Sequence, residues 1–390
     1  MRVTLITFPW TLKMSEEFFA SLPKEETKPQ RGRPKKYSDA FILAIRVYQQ
    51  ARRYSIREVL EEVESLGWEV PVPSNYIYRV DKLGVQLVER FVAYLGEKLR
   101  QVMNIRFSWY GAIDGTGFSY ESLYPLNFYR GKEVRYVSSH VRAVVLVGIH
   151  GKRVAYIAAV ALGKAYASEV KLAERMIREC KERGMPIKIR RLLGDGVYDC
   201  IRLMEELESL GIKPVIRLGE ENLYEKAKHP VRKASGQRAS NWKVYKKRKL
   251  IEGLFGEIKQ KHTSHVYDVI EKRAQIDAGL RFAVWNLYRL IVEEKKARKK
   301  RSGSAGSNRD EMKNNCFIFY TFYIFATVTH LAISQPLFAE SREFLDHPHS
   351  LKSTDQPLSE RAQARNTPLQ TILRTHGKGR KRVDTYCVGG

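Results

Sequence analysis

The chain has 390 residues, 43% of them hydrophobic, with a formal net charge of +26 at pH 7. This length and composition support one large domain or two to three modest ones around a real core, which excludes a wholly disordered chain or a small disulfide-stapled scaffold. An excess of positive charge this large points to a polyanionic partner, with nucleic acid the first candidate.

Residues 1–30 read as a flexible lead-in with no apolar stretch ending at a small-residue cleavage site, so no secretory signal is expected. The strip Arg31-Gly32-Arg33-Pro34-Lys35-Lys36 follows. Proline and its neighbour favour an extended backbone, and a basic Gly-Arg-Pro strip resembles an AT-hook laid in the minor groove. A plain basic linker fits the same residues. Ser38 or Asp39 can cap a helix from about residue 39 to 53, and Ser55 with Glu58 has the capping-box spacing for a second helix to about residue 66. Ser74 is placed to cap a third. The spacing suggests a helix-turn-helix-like module, and 31–104 is read as a helical DNA-binding domain; a purely structural helical cap fits the same pattern.

From residue 105 the texture changes. Runs 105–113, 134–149 and 154–162 are β-branched and aromatic, and His150-Gly151-Lys152 forms a hairpin turn between the last two. A helix over 169–183, a strand over 187–193, a helix over 200–210 and a strand over 213–218 follow. Three meandering strands and then βαβ alternation predict an α/β domain with a mixed sheet flanked by helices. The basic stretch 219–243 lacks periodicity and reads as a surface insertion. Helices are expected over 243–261 and 271–296, the second with a core-facing stripe that includes Leu280, Val284 and Leu287.

The remainder, 299–390, reads as an atypical and largely disordered tail. It opens on a Gly/Ser-rich linker and contains an apolar segment, 316–333, of marginal length for a membrane span but carrying Thr321, Thr327 and His330. Membrane attachment is not expected. The four cysteines, Cys180, Cys200, Cys316 and Cys387, lack zinc-site spacing and read as reduced thiols of a cytoplasmic protein.

Two aspartates and one glutamate are the candidates for carrying chemistry. Asp114, in Ala112-Ile113-Asp114-Gly115, is read as ending the first strand, and Asp195, in Leu193-Gly194-Asp195-Gly196, as following the fourth. Carboxylates beyond the carboxyl ends of strands face the open edge where α/β sheets bind ligands. Either Asp-Gly pair alone is ordinary turn chemistry. On a continuous helix, Tyr245, Arg248, Glu252 and Lys259 fall within about 60° of one another, beside an apolar face made by Ile251, Leu254, Phe255 and Ile258.

The spacing Tyr245-x2-Arg248-x3-Glu252-x6-Lys259 resembles the Y-R-E-K signature of DDE transposases from prokaryotic insertion sequences. The resemblance covers about residues 32–295 and leaves the tail without a counterpart. It implies a ribonuclease H-like fold over 105–298 whose catalytic and metal-binding residues are Asp114, Asp195 and Glu252. They would hold two Mg²⁺ ions, with Mn²⁺ able to substitute. Carboxylates suit such hard cations, which activate an attacking oxygen and stabilise a leaving one. The resemblance also implies that Tyr245, Arg248 and Lys259 contact DNA. The flanking Lys246, Lys247 and Lys249 and the arm residues Arg31, Arg33, Lys35 and Lys36 add basic contacts. The partners expected are transposon ends and target DNA, and synapsis of two ends requires at least a homodimer. Trp242 reads as a core residue, with stacking on a displaced base the alternative, and Lys164, Glu169, Asp199 and Glu257 are left without a role. The rival readings are a ribonuclease H-like nuclease without strand transfer, an inactive DNA-binding descendant of a transposase, and a membrane-attached DNA-binding protein resting on 316–333.

Overall fold

The computed structural model describes residues 5–23, 35–120, 124–126, 135–137, 140–183, 187–218, 227–268 and 270–304. All belong to the first of two compact units, Met1–Arg309 and Asp310–Gly390. Arg31, Arg33, residues 305–308 of the predicted linker and the apolar segment 316–333 lie outside the described residues.

Five helices open the chain: α1 (Phe8–Ser21), α2 (Asp39–Arg52), α3 (Ile56–Ser65), α4 (Pro73–Leu83) and α5 (Val85–Val102). The first corrects the expected flexible lead-in. Phe8, Leu12, Met14 and Phe18 are buried, and Phe8 meets the rings of Phe41 and Trp68 edge-on at 5.7 Å. Aromatic burial of this kind outweighs the weak intrinsic pattern of the segment. The predicted caps appear at α2, where Ser38 accepts from the Phe41 N–H, and at α3, where Ser55 and Glu58 form a full capping box. At α4 the expected cap Ser74 is instead inside the first turn, behind Pro73. Gly84, at φ +78°, separates α4 from α5.

The sheet contains β1 (Ser108–Tyr120), β4 (His140–His150), β5 (Arg153–Gly163), β6 (Ile189–Gly194) and β7 (Lys213–Ile216), in spatial order β5-β4-β1-β6-β7. Strands β2 (Tyr124–Leu126) and β3 (Arg135–Val137) form a separate small pair, so the expected run from 134 to 149 is broken. The β4–β5 hairpin turns through Gly151, at φ +63°, and Lys152. The central β1 is antiparallel to β4 and parallel to β6, and β6 is parallel to β7. This mixed order is that of the ribonuclease H-like fold.

Between β5 and β7 lie α6 (Glu169–Glu182), β6 and α7 (Ile201–Ser209). The predicted insertion is partly helical: α8 (Pro230–Ser240) packs on β7, and its buried Ser235 hydroxyl accepts from the Ile216 N–H at 2.9 Å. The expected helix 243–261 is divided into α9 (Trp242–Tyr245), a 3-10 turn (Lys246–Arg248) and α10 (Lys249–His262). A short β8 (His265–Val266) and the long α11 (Glu271–Ser304), which extends past the predicted end at 296, complete the unit.

One face of the sheet packs on α5, α10 and α11, and the other on α6 and α7. Edge strand β5 is held by side chains from helices on both faces. Glu89 of α5 accepts from the Leu162 N–H and from Arg175 of α6, each at 2.7 Å, while Arg175 also donates to the Leu162 carbonyl. Asn286 of α11 accepts from the Ile157 N–H and donates to the carbonyls of Ile157 and Val92. These bonds occupy backbone groups that an edge strand leaves unpaired.

Candidate active site

Strand β1 does not end at Asp114, contrary to expectation. Asp114 pairs with Val145 of β4 midway along the strand. The open edge is nevertheless there. Pairing with β6 stops at Ala112, and pairing with β8 starts only at Ser119. Residues 113–118 therefore have β4 on one side and, among the described residues, no strand on the other. Alternation points Asp114 to the face that carries α10. Asp195 follows β6, and because Leu193 is in register with Ala112, strand alternation brings it to the same face. The Asp195 carboxylate accepts from the Val197 N–H at 3.1 Å and so caps a 3-10 turn. Glu252 lies in the first turn of α10 and is half exposed.

Arg248 ties the site together. Its Nη1 donates to Asp114 Oδ2 at 2.9 Å and its Nη2 to Glu252 Oε1 at 2.8 Å. Burial pushes the Asp114 carboxyl up to about 6; the Arg248 charge and the Gly115 N–H oppose that rise, and Asp195 and Glu252 add to it. Tyr245 is buried, which raises its phenol, and the charge of Asp195 raises it further. Lys259 is half-buried, its pKa lowered by that burial, with its ammonium 5.8 Å from the Phe118 ring centre. Thus the signature residues line one side of α9–α10 as expected, although the 3-10 turn interrupts the regular helix.

A cleft of about 370 Å³ opens beside Asp195 and is lined by Arg217, Trp242, Tyr245, Lys246, Arg248 and Lys249 among others. Trp242 is 57% exposed here, which corrects its assignment to the core. Lys247 points elsewhere, 4.2 Å from the Tyr110 ring centre. Lys35 pairs with Asp39 at 3.0 Å and Lys36 with Glu69, so both arm lysines already have acidic partners. Asp199 is gripped by both ends of the Arg232 fork, and Glu257 by Lys261 and Trp285. These pairings account for two carboxylates that lie close to the motifs in sequence.

Sequence reasoning left Glu169 without a role, and the structure places it directly behind the site. A Cβ on Gly115 would lie 2.4 Å from its carboxylate, so the glycine makes room for it. Glu169 also accepts from the fully buried Tyr198 phenol at 3.4 Å and pairs with Arg142 at 3.3 Å. Burial, with Glu169, Asp114 and Asp195 adding to it, drives the Tyr198 phenol far above its ordinary range. The Asp114-Gly115 pair is the only signal in the sequence, and it reads equally well as a turn.

Among the described residues, no group of three or more His, Cys, Asp or Glu side chains is gathered as a ready metal cage. Nor is any helix long and apolar enough to cross a membrane.

A ribonuclease H-like sheet with acidic side chains at the open edge of its first strand defines a class of catalytic domain. Within that class, residues 107–287 match the family model described as the transposase DDE domain. Over those residues the chain is similar to the DDE transposases. An uncharacterized protein of Aquifex aeolicus (strain VF5) is 27% identical over 275 residues, covering 67% of this chain and 80% of that one. Among solved structures, a pre-cleavage Mos1 transpososome aligns over 72% of this chain and 83% of its own, at 12% identity and a TM-score of 0.20. A piggyBac transposase synaptic complex with hairpin DNA aligns over 79% and 81%, at 10% identity and a TM-score of 0.32.

Proposed function

We propose that this protein is a transposase that binds the ends of an insertion sequence and catalyses divalent-cation-dependent cleavage and strand transfer through Asp114, Asp195 and Glu252. The observation that carries the reading is the Arg248 fork, which lies 134 residues after Asp114 and joins that carboxylate on β1 to Glu252 on α10, beside Asp195.

The donor set fits a hard cation. It is all oxygen, without His or Cys, and Asp114 is a carboxylate whose charge is opposed by burial and by two acidic neighbours. Asp114, Asp195 and Glu252 would hold Mg²⁺, or Mn²⁺ in its place, as two ions. When bound, such ions activate the attacking oxygen and neutralise the leaving one. The residues of the chain position the DNA. A guanidinium matches a phosphate as well as a carboxylate, so Arg248 has the geometry to grip the scissile region. Tyr245 supplies a phenol and Trp242 an exposed ring in the same cleft, with Lys246 and Lys249 adding charge. Lys259 extends the row of contacts along α10. Two ends brought together imply two copies of the chain, and target DNA is the second substrate.

The test is incubation of the full chain with DNA bearing the ends of the element, with Mg²⁺ or with EDTA. Asp114→Ala, Asp195→Ala and Glu252→Ala are compared with wild type. Metal-dependent nicking and joining, lost in all three while DNA binding persists, is the expected result. Nicking without joining would make the protein a nuclease. Binding without chemistry would make it an inactive descendant. Chemistry surviving all three substitutions would place the active site elsewhere.

A further inference from the structure

Phe107 and Trp109 stand at the start of β1, where large aromatic side chains of a central strand are ordinarily covered. Both are exposed, Trp109 by 62% and Phe107 by 42%. The parallel register sets Ser108 beside Ile189, which brings Lys188 and Arg190 of the β6 segment next to these rings. The Arg190 guanidinium lies 4.8 Å from the Trp109 ring centre and 5.5 Å from that of Phe107. The Lys188 ammonium lies 5.4 Å from the Phe107 ring centre. Arg106 and Lys213, both exposed, extend the basic rim at this end of the sheet.

The patch is therefore aromatic and cationic together. Glu97 feels the charge of Lys188, but it is already held by Arg100 and Gln101. Its place is also separate from the carboxylates. Trp109 precedes Asp114 by five residues, about 17 Å of strand, and points to the opposite face. A DNA end seated at Asp114 does not reach it along that face.

We propose that this patch is a second DNA-contacting surface and that it takes an unpaired strand. The inference rests on the DNA-processing reading above. Exposed rings interleaved with cations match the two chemistries of a single strand: base faces that stack and phosphates that attract. A duplex keeps its base faces covered and offers nothing to Trp109 and Phe107. The net charge of +26 favours a polyanion over a protein partner at such a surface.

The experiment measures binding of the full chain to a labelled oligothymidylate and to a labelled duplex of equal length, across a salt series. Wild type is compared with Trp109→Ala/Arg190→Ala and with Trp109→Phe, after matching their thermal melts. The double variant is expected to lose about tenfold or more in single-strand affinity, with duplex affinity within about twofold of wild type. Trp109→Phe, which keeps a ring, should retain most single-strand affinity. Unchanged single-strand binding in the double variant, or an equal loss for both DNAs, overturns the proposal. Wild type failing to bind the duplex at all would instead overturn the DNA-processing reading on which it rests.

Discussion

Arg248 and Asp114 meet at 2.9 Å in a largely buried contact between the turn before α10 and the middle of β1. The same guanidinium reaches Glu252 at 2.8 Å, so one side chain sets the separation of two candidate catalytic groups. Arg248→Ala is expected to lower DNA cleavage by about 100-fold, the scale of a small misplacement of catalytic groups. Arg248→Lys should recover only part, because an ammonium cannot present a planar fork. Full cleavage activity in Arg248→Ala would reduce the contact to a structural one.

Asp114 also makes a prediction about stability. Its carboxyl rises from an ordinary value of 3.8 to about 6 on folding, chiefly through burial. The folded state therefore holds this proton more tightly than the unfolded state. The resulting penalty is absent below pH 3.8, grows up to pH 6 and is complete above it, at roughly 2–3 kcal/mol. Asp114→Asn removes the charge and the penalty. Its melting temperature should exceed that of wild type at pH 8, and the two should converge near pH 4, as calorimetry would report.

His262 works in the opposite sense. It is buried with neither ring nitrogen bonded, and burial, together with Arg281, Arg53 and Lys261, lowers its pKa to about 4. The unfolded chain takes up this proton near pH 6.5 and the folded chain does not. Stability from this residue is complete above about pH 6.5 and falls by about 2 kcal/mol by pH 5. His262→Phe should flatten the acid limb of the stability curve. An unaltered limb would mean that the ring titrates normally in the fold.

Gly96 lies where α5 crosses β5 with no space between backbones. A Cβ there would lie 2.0 Å from the Ile157 carbonyl oxygen. Backbone cannot swing aside as a side chain can, so Gly96→Ala should cost more than about 3 kcal/mol or prevent folding. Denaturant unfolding measures this directly. A loss below about 1 kcal/mol would show that α5 can shift outward.

Gly115→Ala tests the layer behind the site. The new methyl would displace the Glu169 carboxylate, which has a flexible side chain, and leave the buried Tyr198 phenol without its acceptor. Cleavage activity should fall more than stability, with Tyr198→Phe the milder of the two. Equal activity in Gly115→Ala and wild type would separate Glu169 from the reaction.

Much of the helical N-terminal region was legible because its signals are local. The Ser55–Glu58 box and the Ser38 cap depend on neighbours three residues away, and the structure contains both. The segment around Phe8 was not legible, since its order comes from Phe41 and Trp68, far along the chain. The helix α8 was missed for the same reason: it is weakly amphipathic and is held by Ser235 against β7.

The sequence by itself determined the main strands and helices from β4 to β7, the strongly basic character of the chain, and the spacing of Tyr245, Arg248, Glu252 and Lys259. These are properties of periodicity and composition, which each stretch of chain carries within itself. Only the tertiary structure decided that β1 runs on past Asp114, that its edge opens between β6 and β8, and that the Arg248 guanidinium bridges the two carboxylates. It alone set Glu169 behind Gly115 and turned Trp242 and Trp109 outward. Those outcomes depend on which strands end first and which helix crosses them, and contacts between residues more than a hundred positions apart leave no periodic trace in a sequence.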